Sequence, residues 1–379
     1  MKIVIAVDKF KGCATSQQLA QRIHNTIKSQ TPDVDIIIVP IADGGDGTLE
    51  AFKTLLAHKA SALQHIQVSA PLPQLPTVDA EYLLDDDLHT AYLDLATASG
   101  LALVPHQLRD VMRTSTFGTG QIIRDAINKG ANHVVMGLGG SATCDAAMGI
   151  LAALGYKFLD DKQQPLTPCG QNLRLIKHID TTGLNPAIAH TRFSLLTDVN
   201  NQLTGPNGAA AIFGPQKGAS PEQVIELERG LENFASFLPE GTSFINGAGA
   251  AGGVAAGMVG LLGATIVPGI DFLLNMAHFN EIIADANLVI TGEGRIDNQT
   301  LMGKAPAGVL QAAKQQNIPV IAICGNIAPR TETSLLGFDR VIEVTPHNMP
   351  LEQAMDTKTA LALVERAILN LDLSQWNDD

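Results

Sequence analysis

Five short segments of the chain place glycines, carboxylates and hydroxyls directly after an apolar run. They are Asp43–Thr48, Gly137–Asp145, Asp198–Asn201, Thr291–Asp297 and Gly325-Asn326. One such segment alone is weak evidence, because glycine after a strand is ordinary turn chemistry. In open α/β folds, however, ligands bind at the carboxyl edge of the strands. We therefore expect these segments to converge on a ligand site.

The segment that begins at Gly137 has the composition of a phosphate-binding loop. Backbone N–H groups at Gly139, Gly140, Ser141 and Thr143 can cradle a phosphate, helped by the positive end of a following helix. It is not a Walker loop, because no lysine follows the glycines. The alternative is a tight turn between a strand and a helix, with Ser141 as the helix N-cap.

The segment Thr291–Asp297 predicts a metal and phosphoryl site. Glu293 and Asp297 can hold a divalent cation, and Arg295 can bind a phosphoryl oxygen, which together serve phosphoryl transfer. The alternative is a structural pair of Arg295 with one of the two carboxylates.

Asp198 follows another apolar run and is the second predicted carboxylate position. The alternative is an Asx-turn with one of the asparagines that follow it. Four lysines lie close to glycines in predicted loops, where each can meet an anion or simply be solvated: Lys9, Lys11, Lys217 and Lys304.

The elements that position these residues alternate between strands and helices. The run Lys2–Val7 is continuously apolar, which is typical of a strand buried on both faces of a parallel sheet. The helix Ser16–Ser29, capped by Thr15 or Ser16, and the strand Asp35–Pro40 follow it, as at the start of a doubly wound sheet. From about Ser61 the pattern changes to short strands joined by turns, which indicates an inserted mixed-sheet domain.

Further elements are predicted along the rest of the chain. They include the helices Asp145–Leu154 and Gly249–Leu262 and the strands Leu288–Ile290 and Pro319–Ile323. The fold class is therefore α/β, with a doubly wound parallel sheet at the start of the chain, a mixed-sheet insertion, and parallel strands again near its end. We place the domain boundaries at 1–62 with 285–379, and at 63–284 for the insertion.

Composition excludes several classes of protein. A chain of 379 residues predicts two domains, and a net charge of −13 argues against a nucleic-acid binder. The four cysteines form no CxxC pair, which excludes a zinc or disulfide framework. The N-terminus enters a strand without a signal region, and Ala248–Leu262 is short and glycine-rich for a membrane span. We expect a cytoplasmic protein without membrane contact, and leave open whether it forms a homodimer.

The motifs together resemble the type-1 glycerate kinase family. The similar segments run in family order from residue 8 to residue 306: Asp8–Gly12, Ala42–Thr48, Gly139–Thr143, Leu203–Pro206, Phe213–Ala219, Gly247–Gly253, Pro268–Ile270, Thr291–Asp297, Gln299-Thr300 and Gly303–Pro306. The resemblance implies transfer of the γ-phosphoryl group of ATP, with Mg²⁺, to a hydroxyl of D-glycerate. It also implies 2-phosphoglycerate as the usual bacterial product. The fold that it implies is a flavodoxin-like parallel-sheet domain formed by both chain ends, with a second mixed α/β domain inserted.

This chain departs from the usual family pattern at some positions. Ala146 and Ala147 stand where the family commonly has two glycines, Lys9 where it has serine, and Asp46 where it has glutamate.

We assign roles to the candidate residues on this basis. Asp198 and Asp297 would hold the metal, with Glu293 either a further ligand or oriented through a water. The amides of Gly139–Thr143 would bind phosphate. Arg295 and Lys11 would offset the charge of the transferred group. Asp43 and Lys217 would contact glycerate, and Asp198 would orient the attacking hydroxyl.

Three other functions are alternatives to this one. The first is a kinase of another small hydroxy acid, or one that forms 3-phosphoglycerate. The second is a non-enzymatic binder of phosphorylated sugars, which the three carboxylate segments disfavour. The third, a dehydrogenase, is excluded because the first βα turn Asp8–Gly12 has one glycine instead of three.

Overall fold

A computed structural model describes residues 1–57, 61–297, 300, 304–329, 331–332 and 336–376. In these residues the strands are β1 (Lys2–Val7), β2 (Asp35–Ile38), β3 (Ser61–Val68), β4 (Val78–Asp85), β5 (Thr90–Asp94), β6 (His133–Gly137), β7 (Lys157–Leu159), β8 (His178–Asp180), β9 (Arg192–Leu196), β10 (Thr265–Val267), β11 (Leu288–Ile296), β12 (Val320–Ile327) and β13 (Arg340–Glu343).

The α-helices of the same residues alternate with these strands. They are α1 (Ser16–Gln30), α2 (Thr48–Leu55), α3 (Ala96–Ser99), α4 (Phe117–Asn128), α5 (Met148–Ala153), α6 (Ala209–Phe213), α7 (Pro221–Ala235), α8 (Ala250–Leu262), α9 (Gly269–Met276), α10 (Phe279–Ile283), α11 (Ala305–Gln315), α12 (Leu351–Ala354) and α13 (Thr357–Leu369).

The chain divides into two units. Met1–Asp43 and Pro268–Asp379 form one unit, here called the terminal unit, and Gly44–Val267 forms the other, the inserted unit. The division is discontinuous, as in the sequence prediction, but its boundaries differ from 62/63 and 284/285. Helix α2 belongs to the inserted unit because it packs on β4 and β5, and α9 and α10 belong to the terminal unit because they pack on α11.

The terminal unit is built on a parallel sheet with the strand order β13-β12-β11-β1-β2. Counted in chain order within this sheet, the order is 2-1-3-4-5, which is that of flavodoxin-like folds. The predicted fold class is confirmed for this unit. The interior strand β1 is buried and pairs with β2 on one side and with β11 on the other.

Helix α1 covers one face of this sheet. Its side chains Leu19, Ile23 and Ile27 are buried, as their helical spacing predicts. Of the two predicted caps, Thr15 is the N-cap: its hydroxyl accepts from the Gln18 N–H at 3.2 Å, and the Gln18 side chain accepts from the Thr15 N–H at 3.0 Å. This capping box satisfies two of the donors that a helix start leaves unpaired.

The inserted unit contains a mixed sheet with the order β10-β9-β6-β5-β4-β3. Strands β3, β4 and β5 pair antiparallel, and β5, β6, β9 and β10 pair parallel, which confirms the predicted mixed character. The register sets Asp94 opposite Gly137 and Gly137 opposite Leu196. The carboxyl ends of three neighbouring strands therefore lie level at one edge of this sheet.

Two predicted turns are wrong, because both segments are strand. Strand β11 continues through Thr291–Asp297 as far as Ile296, and β12 includes Gly325-Asn326. The two strands pair with each other out to Ile296 and Ile327, so pairing overrides the weak strand propensity of the glycines. A Cβ at Gly292 would lie 2.0 Å from the Ile323 carbonyl oxygen, so this close approach of two backbones requires glycine.

The predicted helix Asp145–Leu154 is shorter than expected. Helix α5 begins at Met148, because Ala146 and Ala147 have positive φ angles of 48° and 64°. Such a backbone suits glycine, which explains why the glycine pair of the family pattern fits these positions.

The predicted helix Gly249–Leu262 is also interrupted at its start. Ala251, Gly252 and Gly253 are left-handed, so regular helical geometry begins after them. The remainder is apolar and short. Within the described residues, no helix has both the length and the apolar character needed to cross a membrane.

Candidate active site

The carboxyl edge of β1 and β11 is the topological switch point of the terminal unit. In flavodoxin-like sheets ligands bind outside this point, where the strand order reverses. Asp8 directly follows β1, and its N–H donates to the Gly292 carbonyl oxygen of β11 at 2.9 Å. Asp8 is also almost fully buried. A carboxylate is therefore held at the position where this fold class binds its ligands.

Asp8 shares a lysine with Asp43, the predicted glycerate contact. The Lys9 Nζ lies 3.4 Å from Asp8 Oδ1 and 3.6 Å from Asp43 Oδ1, and the Ser16 hydroxyl donates to Asp8 Oδ1 at 3.5 Å. Burial raises the pKa of Asp8 to about 6; the Lys9 charge opposes this shift and the Asp43 charge adds to it.

A second group forms around Glu293 and Asp297, the two predicted metal ligands of this unit. The Lys304 Nζ lies 3.5 Å from Glu293 Oε2 and 3.6 Å from Asp297 Oδ1. The Thr300 hydroxyl donates to Glu293 Oε1 at 2.8 Å and accepts from the Asp297 N–H at 3.0 Å. Burial raises the pKa of Glu293 to about 7, against the Lys304 charge and the Thr300 hydrogen bond, and the charge of Asp8 raises it further.

The predicted cations Arg295 and Lys11 are both exposed. Within the part of the chain that the structure describes, neither forms an ion pair. The alternative of a structural pair between Arg295 and a carboxylate is therefore not seen, and Lys304 takes that place. Since side chains alternate along a strand, Arg295 points to the same face of β11 as Glu293.

The predicted phosphate loop follows β6 in the inserted unit, where two of its amides are already bonded. The Gly139 N–H donates to the Gly44 carbonyl at 3.0 Å, and the Ala142 N–H donates to the Ser99 carbonyl at 2.8 Å. Among the described residues, the amides of Gly140, Ser141 and Thr143 have no protein acceptor. The donors available to a phosphate are thus fewer than predicted.

The helix that was expected to support this loop does not begin there. Helix α5 begins at Met148, after the loop, so its positive end cannot assist binding at Gly140, and Ser141 is not its N-cap. The loop is instead shaped by close packing of glycines. A Cβ at Gly139 would lie 2.2 Å from the Gly45 Cα, and Gly140 has a φ of +72°.

Lys217 lies against the same loop and not at the surface. Its side chain is buried, with 4% of the residue exposed. Its Nζ donates to Ser141 Oγ and to the Thr143 carbonyl oxygen, each at 2.7 Å. Burial lowers the pKa of Lys217 to about 8, and the neighbouring Cys144 and Asp145 oppose this shift. The contacts that the structure gives Lys217 are therefore to the loop, whereas the sequence predicted a contact to glycerate.

Asp198 follows β9 at the level edge of the inserted sheet and is half-buried. Beside it, the Val199 N–H donates to the Thr197 hydroxyl at 3.3 Å. Asp198 belongs to the inserted unit, whereas Glu293 and Asp297, the other predicted metal ligands, belong to the terminal unit.

The donor chemistry at Glu293 and Asp297 fits Mg²⁺. Among the described residues, no three His, Cys, Asp or Glu side chains are grouped to hold a metal ion. Magnesium, however, usually takes only one or two carboxylates from a protein and its other ligands from phosphates and water. Glu293 and Asp297 already bind one positive charge, the ammonium of Lys304.

Sequence reasoning underrated three of these residues. Asp8 stands out in the sequence only as part of the segment Asp8–Gly12, and residue type does not distinguish Lys9 and Lys304 from the other lysines that lie close to glycines. The switch-point rule, applied to the residue that follows β1, would have selected Asp8. Two residues quoted for the resemblance, Gln299 and Gly303, lie outside the described residues.

Comparison with known proteins gives a consistent result along the chain. The sequence model of the glycerate kinase family matches residues 3–372. A glycerate kinase of Halalkalibacterium halodurans is 39% identical over 381 residues, which cover 99% of this chain and 98% of that protein. The glycerate 2-kinase of Escherichia coli strain K12 is 40% identical over 331 residues, 86% of each chain.

A solved structure agrees with these relatives. The crystal structure of a putative glycerate kinase 2 from Salmonella typhimurium LT2 superposes with a TM-score of 0.81 at 38% sequence identity. The match covers 98% of this chain and 96% of that one.

Proposed function

We propose, from the premise that this chain belongs to the glycerate kinase family and is a kinase, that it phosphorylates D-glycerate with ATP to 2-phosphoglycerate. The observation that carries the proposal is the acidic edge of the terminal unit, where Lys9 and Lys304 each hold two carboxylates together. Phosphoryl transfer needs such groups to manage cations and negative charge. The name of the Escherichia coli relative, glycerate 2-kinase, supports the choice of product.

In this proposal the inserted unit binds phosphate of the nucleotide. The amide of Gly140 is the donor that the loop presents at its surface, because Gly140 is exposed, and the amide of the buried Ser141 follows directly after it. Thr143 adds an amide and a hydroxyl without a protein partner in the described residues, although both are deeper. Gly139 contributes by shaping the loop, since its own amide is bonded to Gly44.

In the proposal Glu293 and Asp297 are the metal ligands of the terminal unit, and Asp198 is the metal-binding carboxylate of the inserted unit. When bound, Mg²⁺ supplies charge neutralisation on the phosphate oxygens. Lys304 pairs with both Glu293 and Asp297. It therefore keeps these two carboxylates close together and offsets part of their charge.

The chemical step is an in-line displacement. The glycerate hydroxyl oxygen forms a bond to the γ-phosphorus, the bond from that phosphorus to the bridging oxygen of ADP breaks, and the hydroxyl proton passes to a carboxylate. Asp198 orients this hydroxyl, and Asp43 contacts glycerate. Arg295 and Lys11, which are exposed cations without an ion pair in the described residues, offset charge on the transferred group.

Product analysis tests the function directly. The protein is incubated with ATP and D-glycerate, ADP release is followed, and phosphorus NMR distinguishes an ester on carbon 2 from an ester on carbon 3. We expect the 2-ester. A 3-ester, or faster ADP release with another small hydroxy acid, would replace the proposed product or substrate.

Replacement of Asp198 tests the assigned roles. We expect Asp198→Asn to lower kcat by roughly 10²–10³ while leaving the fold intact, because a charge at the reacting groups is removed. The matched control is Asp161→Asn, which changes an exposed carboxylate of the same unit and should leave kcat unchanged. Undiminished turnover in a folded Asp198→Asn protein would remove Asp198 from the site.

A further inference from the structure

Lys217 is a buried lysine whose surrounding backbone is fixed by a hydrogen bond and by close packing. It ends the short turn Pro215–Lys217, in which its N–H donates to the Gly214 carbonyl at 3.0 Å. Gly218, which follows it, has a φ of +97° and packs so closely on the Arg109 backbone that a Cβ would lie 2.8 Å from the Arg109 carbonyl oxygen. Burial of a lysine is costly, so a site that fixes one in this way needs a compensating role.

The ammonium of Lys217 determines how the Ser141 hydroxyl can bond. A protonated lysine has three donors and no acceptor, so Ser141 Oγ must accept in their 2.7 Å hydrogen bond. Ser141 Oγ has no other protein partner in the described residues. Its own hydrogen is therefore left to donate away from Lys217. The Ser141 N–H also lacks a protein acceptor there, so this residue presents two donors together.

The second bond of Lys217 fixes the loop backbone. Its Nζ donates to the Thr143 carbonyl at 2.7 Å, two residues beyond Ser141. The Lys217 ammonium thus donates hydrogen bonds to both ends of the segment Ser141–Thr143. A fully buried carboxylate, Asp145, acts on Lys217 electrostatically; its Oδ2 accepts from the Thr116 N–H at 2.8 Å and from the Thr116 hydroxyl at 2.9 Å. The positive charge of Lys217 is thereby held next to the segment Ser141–Thr143.

We propose that Lys217 is a positioning residue of the reaction and does not contact glycerate: it acts through Ser141, which it orients so that the Ser141 hydroxyl and amide both donate to one phosphate group. The inference rests on the proposed function, because it assigns the phosphate of ATP to this loop.

A double-mutant cycle in the full-length chain tests the proposal. We expect Ser141→Ala to lower kcat/KM for ATP roughly 10-fold, as for one lost hydrogen bond to a charged group, and Lys217→Met to lower it roughly 10²-fold, as for a displaced loop. If Lys217 acts through Ser141, the double variant is no worse than Lys217→Met alone. Losses that multiply in the double variant would overturn the proposal, as would full activity of a folded Lys217→Met protein.

The control is Lys162→Met, which removes an exposed lysine of the same unit and should leave kcat/KM unchanged. Failure of the proposed function is distinguishable, because then the unaltered chain releases no ADP with glycerate. Multiplying losses in an enzyme that phosphorylates glycerate overturn the positioning role alone.

A pH profile tests the same idea without changing Lys217. As the pH rises through about 8, Lys217 loses its proton and can accept from Ser141, so the hydroxyl is no longer directed to phosphate. The groups packed nearby are Cys144, Asp145, Glu228 and Arg109; burial raises the pKa of Cys144 to about 12, so it remains a thiol at this pH. We expect kcat/KM to fall in the unaltered chain and not in Ser141→Ala. An equal fall in both proteins would contradict the proposal.

Discussion

At the scale of single residues, Asp8 and Glu293 are acids placed where negative charge is costly. Each is buried at the edge of the terminal sheet, and each is paired with a lysine, Lys9 at Asp8 and Lys304 at Glu293. Their pKa values are raised to about 6 and about 7 because burial outweighs the lysine charges. A site that keeps two such carboxylates close to ionisation at neutral pH can bind a cation or a hydroxyl proton.

This arrangement predicts that Glu293→Gln stabilises the protein at alkaline pH. Glu293 has its pKa raised from 4.5 to about 7, so between these values the folded chain binds more protons than the unfolded chain. Stability therefore falls as the pH rises through this window. We expect Glu293→Gln to raise the free energy of unfolding by about 1–3 kcal/mol at pH 8, and to have little effect near pH 4.5.

Denaturant unfolding of both proteins at the two pH values measures this effect. Glu352→Gln, a change at an exposed glutamate of the same unit, provides the control and should show no pH-dependent gain. A loss of stability in Glu293→Gln at pH 8 would show that the Lys304 charge outweighs the cost of burial.

The choice between Lys9 and Lys11 shows where prediction from residue type ends. Both lysines lie in the first βα turn, and their types and neighbours are alike. The structure separates them because Phe10 between them is buried in the core of the terminal unit, while its backbone pairs with Ala14. That packing brings Lys9 to Asp8 and leaves Lys11 exposed. Only tertiary structure contains this information.

At the scale of elements, apolar periodicity predicted well the strands and helices whose formation depends on local pattern. Strand β1 and helix α1 agree with their predicted bounds to within one residue. The extension of β11 through Gly292 and Gly294 could not be predicted, because glycine disfavours strands unless a partner backbone approaches closely. Glycines that extend a strand into a functional site are thus the residues whose strand structure is hardest to predict from the sequence.

Close backbone packing also predicts the effect of Gly139→Ala. The new Cβ would lie 2.2 Å from the Gly45 Cα, so one of the two glycine loops of the inserted unit must move. We expect a loss of about 2–3 kcal/mol in the free energy of unfolding, together with weaker ATP binding.

Gly263→Ala is the matched control for this change. Gly263 has a φ of +66° but open space around its Cα, so alanine there costs only the backbone strain, about 1 kcal/mol. Thermal and denaturant unfolding compare the two variants. A loss in Gly139→Ala no larger than that in Gly263→Ala would contradict the prediction.

At the scale of the whole molecule, each unit has a core of its own. The buried side chains of one cluster all lie between Val68 and Ala264, within the inserted unit, and those of another all come from the terminal unit. Sequence pattern predicted a discontinuous division but placed its boundaries too late, because helix α2 continues the alternating pattern of the first strands. Its membership in the inserted unit depends on packing against β4 and β5.

Separate cores predict that residues 44–267 fold when expressed alone. We expect this fragment to show helix and strand by circular dichroism and one cooperative thermal transition, because its core residues need no partner from the terminal unit. The contrasting fragment, residues 1–43, should be unfolded, since β1 has lost β11. A disordered 44–267 fragment would contradict the division into self-sufficient cores.

The position of β1 between β2 and β11 in the terminal sheet has a consequence for synthesis on the ribosome. Its partner β11 begins about 280 residues later in the chain, so at about 5–20 residues per second the nascent β1 waits on the order of 10–60 s for that strand. The inserted unit, translated in the interval, has all its strands and can fold first. Until β11 emerges, the apolar β1 and β2 have only each other, and chaperones that bind exposed apolar segments would find them there.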